Sequence, residues 1–243
     1  MQLTRLPKDH RTNRLLAALA PESLAYLEPH LEIVNVQRGQ VLYEANEMIR
    51  YTYFPHDLVV ALVAVMSNGA CAEMSIAGRE GVIGLVTTAT APTAFGRYVV
   101  QTPGTASRIC IERMQKAIST HANIKGVIQR FSEAITARTL QNVACNAIHS
   151  VEERCCRWIL STHDRAEQDT LSLSHEFLAD MLGVQRSTVS TITRTLQTAG
   201  LIEQGRGCIT VKDRAGLERA SCECYSKVRQ TFERLLPLTY TKS

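Results

Sequence analysis

Residues 173–211 read LSHEFLADMLGVQRSTVSTITRTLQTAGLIEQGRGCITV, and this stretch decides the fold. It predicts a helix over HEFLADML, a tight turn at GVQ, a helix over RSTVSTITRTLQTAG and a hairpin over LIEQGRGCITV. Ala179 is small where two helices would cross closely, and Gly183 is free of Cβ strain where the turn needs it. The helices can share a small core made by Leu178, Leu182, Val184, Val189, Ile192 and Leu196. This order is that of a winged helix-turn-helix.

The residues just before this stretch extend the same domain. A helix over VEERCCRWILSTHD and a short strand over TLSLS are predicted after Ser150. Thr170, Ser172 or Ser174 can each cap the next helix, but for Ser174 the reciprocal Glu of a capping box is replaced by Phe177. The predicted start of that helix is therefore uncertain by a residue or two.

The second helix of the motif carries a polar face opposite its apolar stripe. If that helix begins near Arg186, the face consists of Gln185, Arg186, Ser187, Ser190, Thr191 and Arg194. Such a face suits the major groove of DNA, because Arg can bridge guanine O6 and N7 while Ser and Thr reach base edges or phosphates. From residue 185 to 214, five basic residues stand against two acidic ones, which favours a polyanionic partner.

Each candidate has a plainer alternative. Arg186, at the leading end of the helix, is predicted to contact a base, although it could be an ordinary solvated arginine. Arg194, two turns later, is interpreted as a phosphate contact. Arg206 lies in the turn of the hairpin and either touches the DNA backbone or only completes the turn. His175 either binds phosphate at the start of the first helix or lies in water.

The first half of the chain has a different texture. Residues 13–27 predict two small helices separated at Pro21. Residues 31–111 contain short apolar runs divided by turn residues, which predicts a small β-barrel or jelly roll. Asn68-Gly69 lies between two such runs and indicates a hairpin. The fold class is therefore α+β, with an N-terminal β-roll at residues 1–112 and a DNA-binding domain with a C-terminal tail at residues 150–243.

A long helix is predicted between these two parts, over residues 113–149. Ile124, Ile128, Phe131 and Ile135 form a seam with steps of four, three and four residues. Either a partner helix fills this seam, or the helix packs on its own β domain. The pattern alone does not separate these alternatives.

Bulk properties exclude several classes of protein. The chain has 243 residues, 45% of them hydrophobic, and a net charge of +4, which is ordinary for a globular protein of two domains. Its longest apolar run, residues 58–66, is too short to span a bilayer, and its polar N-terminus is not a signal peptide. We therefore expect a cytoplasmic protein without membrane contact. Because G-x-S-x-G, H-E-x-x-H and G-x-x-x-x-G-K are absent, we do not expect an enzyme.

The eight cysteines are interpreted mainly as small buried hydrophobes. Cys155-Cys156 and Cys222-x-Cys224 could be redox-active or bind metal. Neighbouring helical cysteines point to different sides, however, and the C-x-C pair has no further ligand near it in sequence. We therefore expect no metal site and no cofactor.

The chain resembles the Crp/Fnr family of bacterial transcription regulators over nearly its whole length. Residues 173–211 look like that family's helix-turn-helix and wing, and GQVLYEANEMIRYTYFP and GREGVIGL look like pieces of its β-roll. The resemblance implies a homodimer joined through long central helices, binding a two-fold symmetric DNA site and contacting RNA polymerase. By position, Arg186, Ser187 and Thr191 match the base-reading residues of the family.

The resemblance is weaker at the effector site. Members that bind cyclic nucleotides carry a Gly-Glu-Leu sequence, whereas here Gly84 is followed by Leu85, so the carboxylate is missing. Arg97 is the nearest arginine, but Tyr98 replaces the small residue expected after it. We expect that cyclic AMP is not bound in the usual way. No cysteine precedes Cys71, so the iron-sulfur sensor of the oxygen-sensing branch is not expected either.

Two further interpretations stay open at this point. An unidentified small-molecule effector could bind the β-roll. In a different class of function, the chain would be a signalling protein that binds a small molecule and uses its helix-turn-helix for protein contacts.

Overall fold

A computed structural model describes residues 9–85, 92–166, 168–237 and 240. The strands are β1 Glu32–Val36, β2 Val41–Tyr43, β3 Tyr51–Pro55, β4 Val59–Val65, β5 Cys71–Ala77, β6 Arg97–Thr102, β7 Gly104–Cys110, β8 Thr170–Leu171, β9 Ile202–Gly205 and β10 Cys208–Val211. The helices are α1 Arg14–Ala17, α2 Pro21–Leu27, α3 Ile111–Thr120, α4 Ala122–Ile148, α5 Val151–His163, α6 His175–Leu182, α7 Arg186–Thr198, α8 Arg214–Ala220 and α9 Cys224–Leu235. Strand-rich and helix-rich halves follow one another, as the sequence predicts.

The N-terminal half contains two antiparallel sheets. One has the strand order β1-β7-β3 and the other β2-β6-β4-β5. The predicted hairpin at Asn68-Gly69 joins β4 to β5, and Gly69 has a φ of 83°, which a residue with a Cβ adopts only with strain. Pro21 begins α2 and separates it from α1. The predicted β-roll is confirmed.

The central helical segment differs from its prediction in two ways. It is two helices, because His121 has an extended backbone (φ −120°, ψ 106°) between α3 and α4. The seam residues Ile124, Ile128 and Phe131 are buried among residues of the same chain, chiefly from α1, α2 and α3. A partner helix therefore does not fill that seam, and the alternative of packing within the chain is correct.

A second apolar strip lies near the other end of α4, on a different side. Leu140, Val143 and Ile148 are 66%, 66% and 78% exposed. Large apolar side chains exposed together on one helix are typical of a surface that another molecule covers. We call these three residues the α4 strip.

The C-terminal half has the predicted winged helix-turn-helix arrangement. Ser150 caps α5 and forms a full capping box with Glu153, while Ser174 caps α6 without a reciprocal partner. Gly183 ends α6 with a φ of 65°, so the turn uses the left-handed conformation for which a glycine is suited. Strands β8, β10 and β9 form the small sheet, and β9 and β10 form the wing.

The two halves are joined by a buried ionic contact. Arg165, just after α5, donates from Nε to Glu80 at 2.7 Å, and both side chains are 3% exposed. Arg138 of α4 lies on the same carboxylate, with 4.0 Å between its Nη1 and Glu80 Oε1. One carboxylate therefore faces two buried guanidinium groups.

Further contacts extend this junction. The Trp158 indole donates to Glu73 at 3.0 Å, and Arg38 donates to the carbonyl of Ser172 at 2.9 Å. Ala61 and Val63 of β4 belong to the same apolar cluster as Trp158 and the core of the helix-turn-helix. The core of the C-terminal half thus includes residues of the β-roll.

The cysteines confirm one expectation, and two of them have neighbours that the sequence does not indicate. Cys155 and Cys156 are fully buried, and burial raises the pKa of Cys156 to about 12, so neither is a reactive thiolate at neutral pH. No further ligand lies near Cys222 and Cys224 in sequence, but the structure places two close to them in space. Cys145 and His149, at the end of α4, lie beside them because α9 packs along α4.

Candidate nucleic-acid interface

Helix α7 presents one apolar and one polar side. Val189, Ile192 and Leu196 are buried against the rest of the domain. The exposed side chains on the polar side are Gln185, Arg186, Ser187, Thr191 and Arg194, while Ser190 is half-buried. The structure therefore brings the predicted residues to one accessible face. We call it the α7 face.

Three arginines give the α7 face and the wing their positive charge. Arg186, Arg194 and Arg206 are exposed, and in the described part of the chain none of them is paired with a carboxylate. Their guanidinium groups are therefore available to phosphates or base edges. Arg206 lies at the tip of the wing, where Gly207 adopts a φ of 72°.

Two other basic residues in this region are already neutralised. Lys212 pairs with Glu203 at 2.9 Å. Arg214 is half-buried, pairs with Asp164 at 2.6 Å and with Glu218 at 3.0 Å, and so serves the interior of the domain. The basic surplus counted from the sequence is thus concentrated in the three unpaired arginines.

His175 is held inside the domain. Its Nε2 donates to Gln204 Oε1 at 2.8 Å, and its Nδ1 lies 3.1 Å from Ser190 Oγ. Thr193 Oγ1 lies 3.2 Å from the same Nε2. These contacts join α6, α7 and the wing through one half-buried imidazole, and the phosphate contact of His175 stays a prediction.

The short hydroxyl side chains project only a little from the α7 face. Thr191 donates to the carbonyl of Ser187 at 3.2 Å, and Ser190 donates to the carbonyl of Arg186 at 3.1 Å. Their hydroxyl oxygens can still accept hydrogen bonds from outside. Because these residues are small, bases or phosphates can approach the helix backbone closely.

The β-roll and α4 line a separate, partly open cavity of about 660 Å³. Its lining is mainly apolar and includes Tyr98, Phe131 and Ile135. Arg97, the weak effector candidate, does not line it and instead pairs with Glu44 at 2.9 Å on the surface. Among the described lining residues, only Arg138 carries a charge, and its guanidinium lies toward Glu80.

Comparison with known proteins agrees with this architecture. A family model of the Crp-like helix-turn-helix domain matches residues 153–220. This part of the chain is therefore similar to the Crp-like helix-turn-helix domain, and we call it the Crp-like domain. It includes the α7 face, Arg206 and the whole wing.

Solved structures extend the likeness to the rest of the chain. A Crp/Fnr transcriptional regulator from Eubacterium rectale is 14% identical, with a TM-score of 0.66 over 86% of this chain and 98% of that one. FixK2 from Bradyrhizobium japonicum is 19% identical, with a TM-score of 0.63 over 79% and 98%. The c-di-GMP responsive global regulator CLP of Xanthomonas campestris is 15% identical, with a TM-score of 0.64 over 79% and 99%. No curated protein sequence matches.

The chain therefore has the fold of the Crp/Fnr transcription regulators, and the resemblance seen in its sequence is confirmed. Within residues 9–85, 92–166, 168–237 and 240, no helix is long and apolar enough to cross a membrane.

Sequence patterns identified the α7 face but missed the partners of His175 in the Crp-like domain. Gln204 is 29 residues away from His175, and no local pattern in the sequence indicates that the two are in contact.

Proposed function

We propose that this chain is a sequence-specific DNA-binding regulator of transcription that binds a two-fold symmetric site as a homodimer. The observation that carries the proposal is the α7 face of a Crp-like domain, exposed, polar and bearing unpaired arginines. Such a helix enters the major groove with its N-terminal residues toward the bases. We assign no catalytic residue. Because the proposed partner is DNA, we propose that the protein acts in the cytoplasm.

The site residues take distinct roles in this proposal. Arg186 at the first turn of α7 reads a guanine, and Ser187 and Thr191 contact adjacent base edges. Arg194 and Arg206 contact phosphates on either side of the groove. Gln185 lies beside Arg186 and completes the reading end of the helix.

The α4 strip supports a second copy of the chain as the other partner. Its three side chains are apolar and exposed, and they lie just before the joint at His149 that leads into α5. Two helices paired along this strip would place two Crp-like domains side by side, as a palindromic site requires. We divide the chain accordingly into a β-roll, a dimerisation helix and a DNA-binding domain, with RNA polymerase as the downstream partner.

Selection of bound sites from random DNA tests this proposal. The wild-type protein is expected to enrich a symmetric motif with half-sites about one helical turn apart. Arg186→Ala should relax the preference at one base pair per half-site and lower affinity for the selected site by about 1–3 kcal/mol, roughly 5- to 150-fold. Arg113→Ala, an exposed arginine of α3 in the other half of the chain, is the matched control and should leave the motif unchanged.

A salt titration separates base reading from phosphate contact. Arg194→Ala is expected to weaken binding to all sequences alike and to reduce the slope of log K against log salt by about 0.9. Absence of any enriched motif with the wild-type protein, with or without cell extract, would contradict DNA binding and favour a signalling protein that uses its helix-turn-helix for protein contacts.

The cavity between the β-roll and α4 favours a second role, the binding of a small apolar effector. Its lining in the described residues offers no carboxylate for a ribose hydroxyl, and Arg138 donates a hydrogen bond to Ser75 and lies 4.0 Å from Glu80. Cyclic AMP is therefore expected to leave the thermal unfolding midpoint unchanged at millimolar concentration. Thermal-shift measurements with several cyclic nucleotides test this, and a stabilisation of several degrees by cyclic AMP would overturn it.

A further inference from the structure

Four side chains with metal-binding atoms converge where the central helix meets the DNA-binding half. They are Cys145 and His149 near the end of α4, Cys222 between α8 and α9, and Cys224 at the first position of α9. One atom from each lies within 4.8 Å of the corresponding atom in every other. The three cysteines are buried and His149 is half-buried.

The sequence and the packing of the helices explain this convergence. Cys145 and His149 are four residues apart, so both lie on one side of the last turn of α4. The C-x-C pair lies at the start of α9, which runs along α4. Two short local motifs, separated by more than 70 residues, are thus brought together by tertiary packing.

The interatomic distances match a single tetrahedral ion. Cys145 Sγ and Cys222 Sγ are 3.5 Å apart, and Cys224 Sγ lies 3.6 Å from His149 Nδ1. In a tetrahedral zinc site with Zn–S bonds of about 2.3 Å, neighbouring ligand sulfurs lie about 3.8 Å apart. An iron-sulfur cluster would need a wider cage, because several irons and sulfides lie between its ligands.

The outer contacts orient the histidine for such a role. His149 Nε2 donates to the Glu223 carboxylate at 3.1 Å, which leaves the lone pair of Nδ1 directed toward the cysteines. A carboxylate behind a metal-binding histidine is the usual arrangement at zinc sites. Gln141 donates from Nε2 to Cys224 Sγ at 3.0 Å, as an amide would to a thiolate.

We propose that Cys145, His149, Cys222 and Cys224 form a structural binding site for one zinc ion per chain. Three sulfurs and one imidazole nitrogen fill all four positions of a tetrahedral ion, so the site is closed and has no position for a substrate. On binding, each coordinated thiol releases its proton to solvent. The ion cross-links the end of α4 to the segment that follows α8, across the joint at His149.

Two other arrangements of these sulfurs are less consistent with the geometry. A disulfide between Cys145 and Cys222 needs an S–S distance of about 2.05 Å, would use two of the three sulfurs, and would leave His149 without a role. Three thiols packed only as small hydrophobes would not need an imidazole whose far nitrogen is held by a carboxylate. The zinc site uses all four groups.

The metal content of the purified full-length protein tests the proposal. We expect one zinc per chain by elemental analysis of the wild-type protein, and none in Cys222→Ser or Cys224→Ser. Cys156→Ser is the matched control, since Cys156 is equally buried but lies in α5 outside the cluster, and it should keep the ion. Circular dichroism of each variant separates loss of the ligand from loss of the fold.

Replacement of zinc by Co²⁺ gives a readout that needs no mutation. The wild-type protein is expected to show the strong visible absorption of tetrahedral cobalt and a thiolate-to-cobalt charge-transfer band. In His149→Gln the charge-transfer band should remain while the visible bands shift and affinity for Co²⁺ falls. Absence of bound zinc together with no cobalt spectrum would overturn the proposal, and so would a mass two hydrogens lower that returns to the thiol value on reduction.

Discussion

Replacing Glu80 by glutamine is expected to lower the free energy of unfolding by about 3–5 kcal/mol. Arg165 and Arg138 would then both lose the carboxylate that they share inside the protein. Burial, the largest single cause, lowers the pKa of Arg165, yet the attraction of Glu80 and of further groups such as Asp164 together keeps the pKa raised. The pKa of Arg138 is lowered by burial and by repulsion from Arg165. The carboxylate therefore stabilises two charges at once.

Denaturant titration at neutral pH measures this effect. Glu44→Gln is the matched control, because it breaks a Glu–Arg pair of similar geometry, with Arg97, whose side chains are 52% and 39% exposed. Exposed pairs contribute about 0–1 kcal/mol, so this control should change stability little. Equal losses of unfolding free energy in Glu80→Gln and Glu44→Gln would show that Glu80 and its two arginines do not behave as a buried ionic contact.

The second large effect is expected from Leu140→Glu. If the α4 strip is the homodimer contact, this change places two carboxylates in a desolvated interface without partners. Each costs several kcal/mol, so the dissociation constant of the dimer should rise at least about 100-fold. Sedimentation at micromolar concentration should then show a monomer, and affinity for a palindromic site should fall toward that for a half-site.

Met66→Glu is the control for this experiment. Met66 is also a large apolar side chain and is 53% exposed, but it lies in the β4–β5 hairpin, away from α4. The Met66→Glu substitution is expected to leave the dimer intact. An unchanged dimer in Leu140→Glu would exclude the α4 strip as the dimer contact while leaving the α7 face in place.

The features that the sequence predicted well are those with short-range causes. The turn at Gly183, the cap at Ser174 and the hairpin at Gly69 each depend on a few neighbouring residues. The polar face of α7 follows from helical periodicity alone. These local signals do not depend on tertiary packing, so the sequence alone is sufficient to predict the features.

The features that were missed or wrong depend on packing between distant segments. The seam at Ile124 has the same spacing whether a partner helix or the chain's own core covers it, and the structure shows the core. The contact of His175 with Gln204 crosses from α6 to the wing. The cysteines of α9 meet Cys145 only because α9 lies along α4. Periodicity along one segment carries no information about such pairs.

The apolar core shared between the two halves limits which segments of the protein can be excised or exchanged with those of another protein. Because Ala61 and Val63 of the β-roll pack with Trp158 and the helix-turn-helix, the Crp-like domain is not a module that can be cut out at Ser150 and moved to another protein. The excised piece would expose the indole face and leave Arg165 without Glu80. Chimeras in this architecture should therefore exchange β4, β5 and the loop that carries Glu80 together with the C-terminal half.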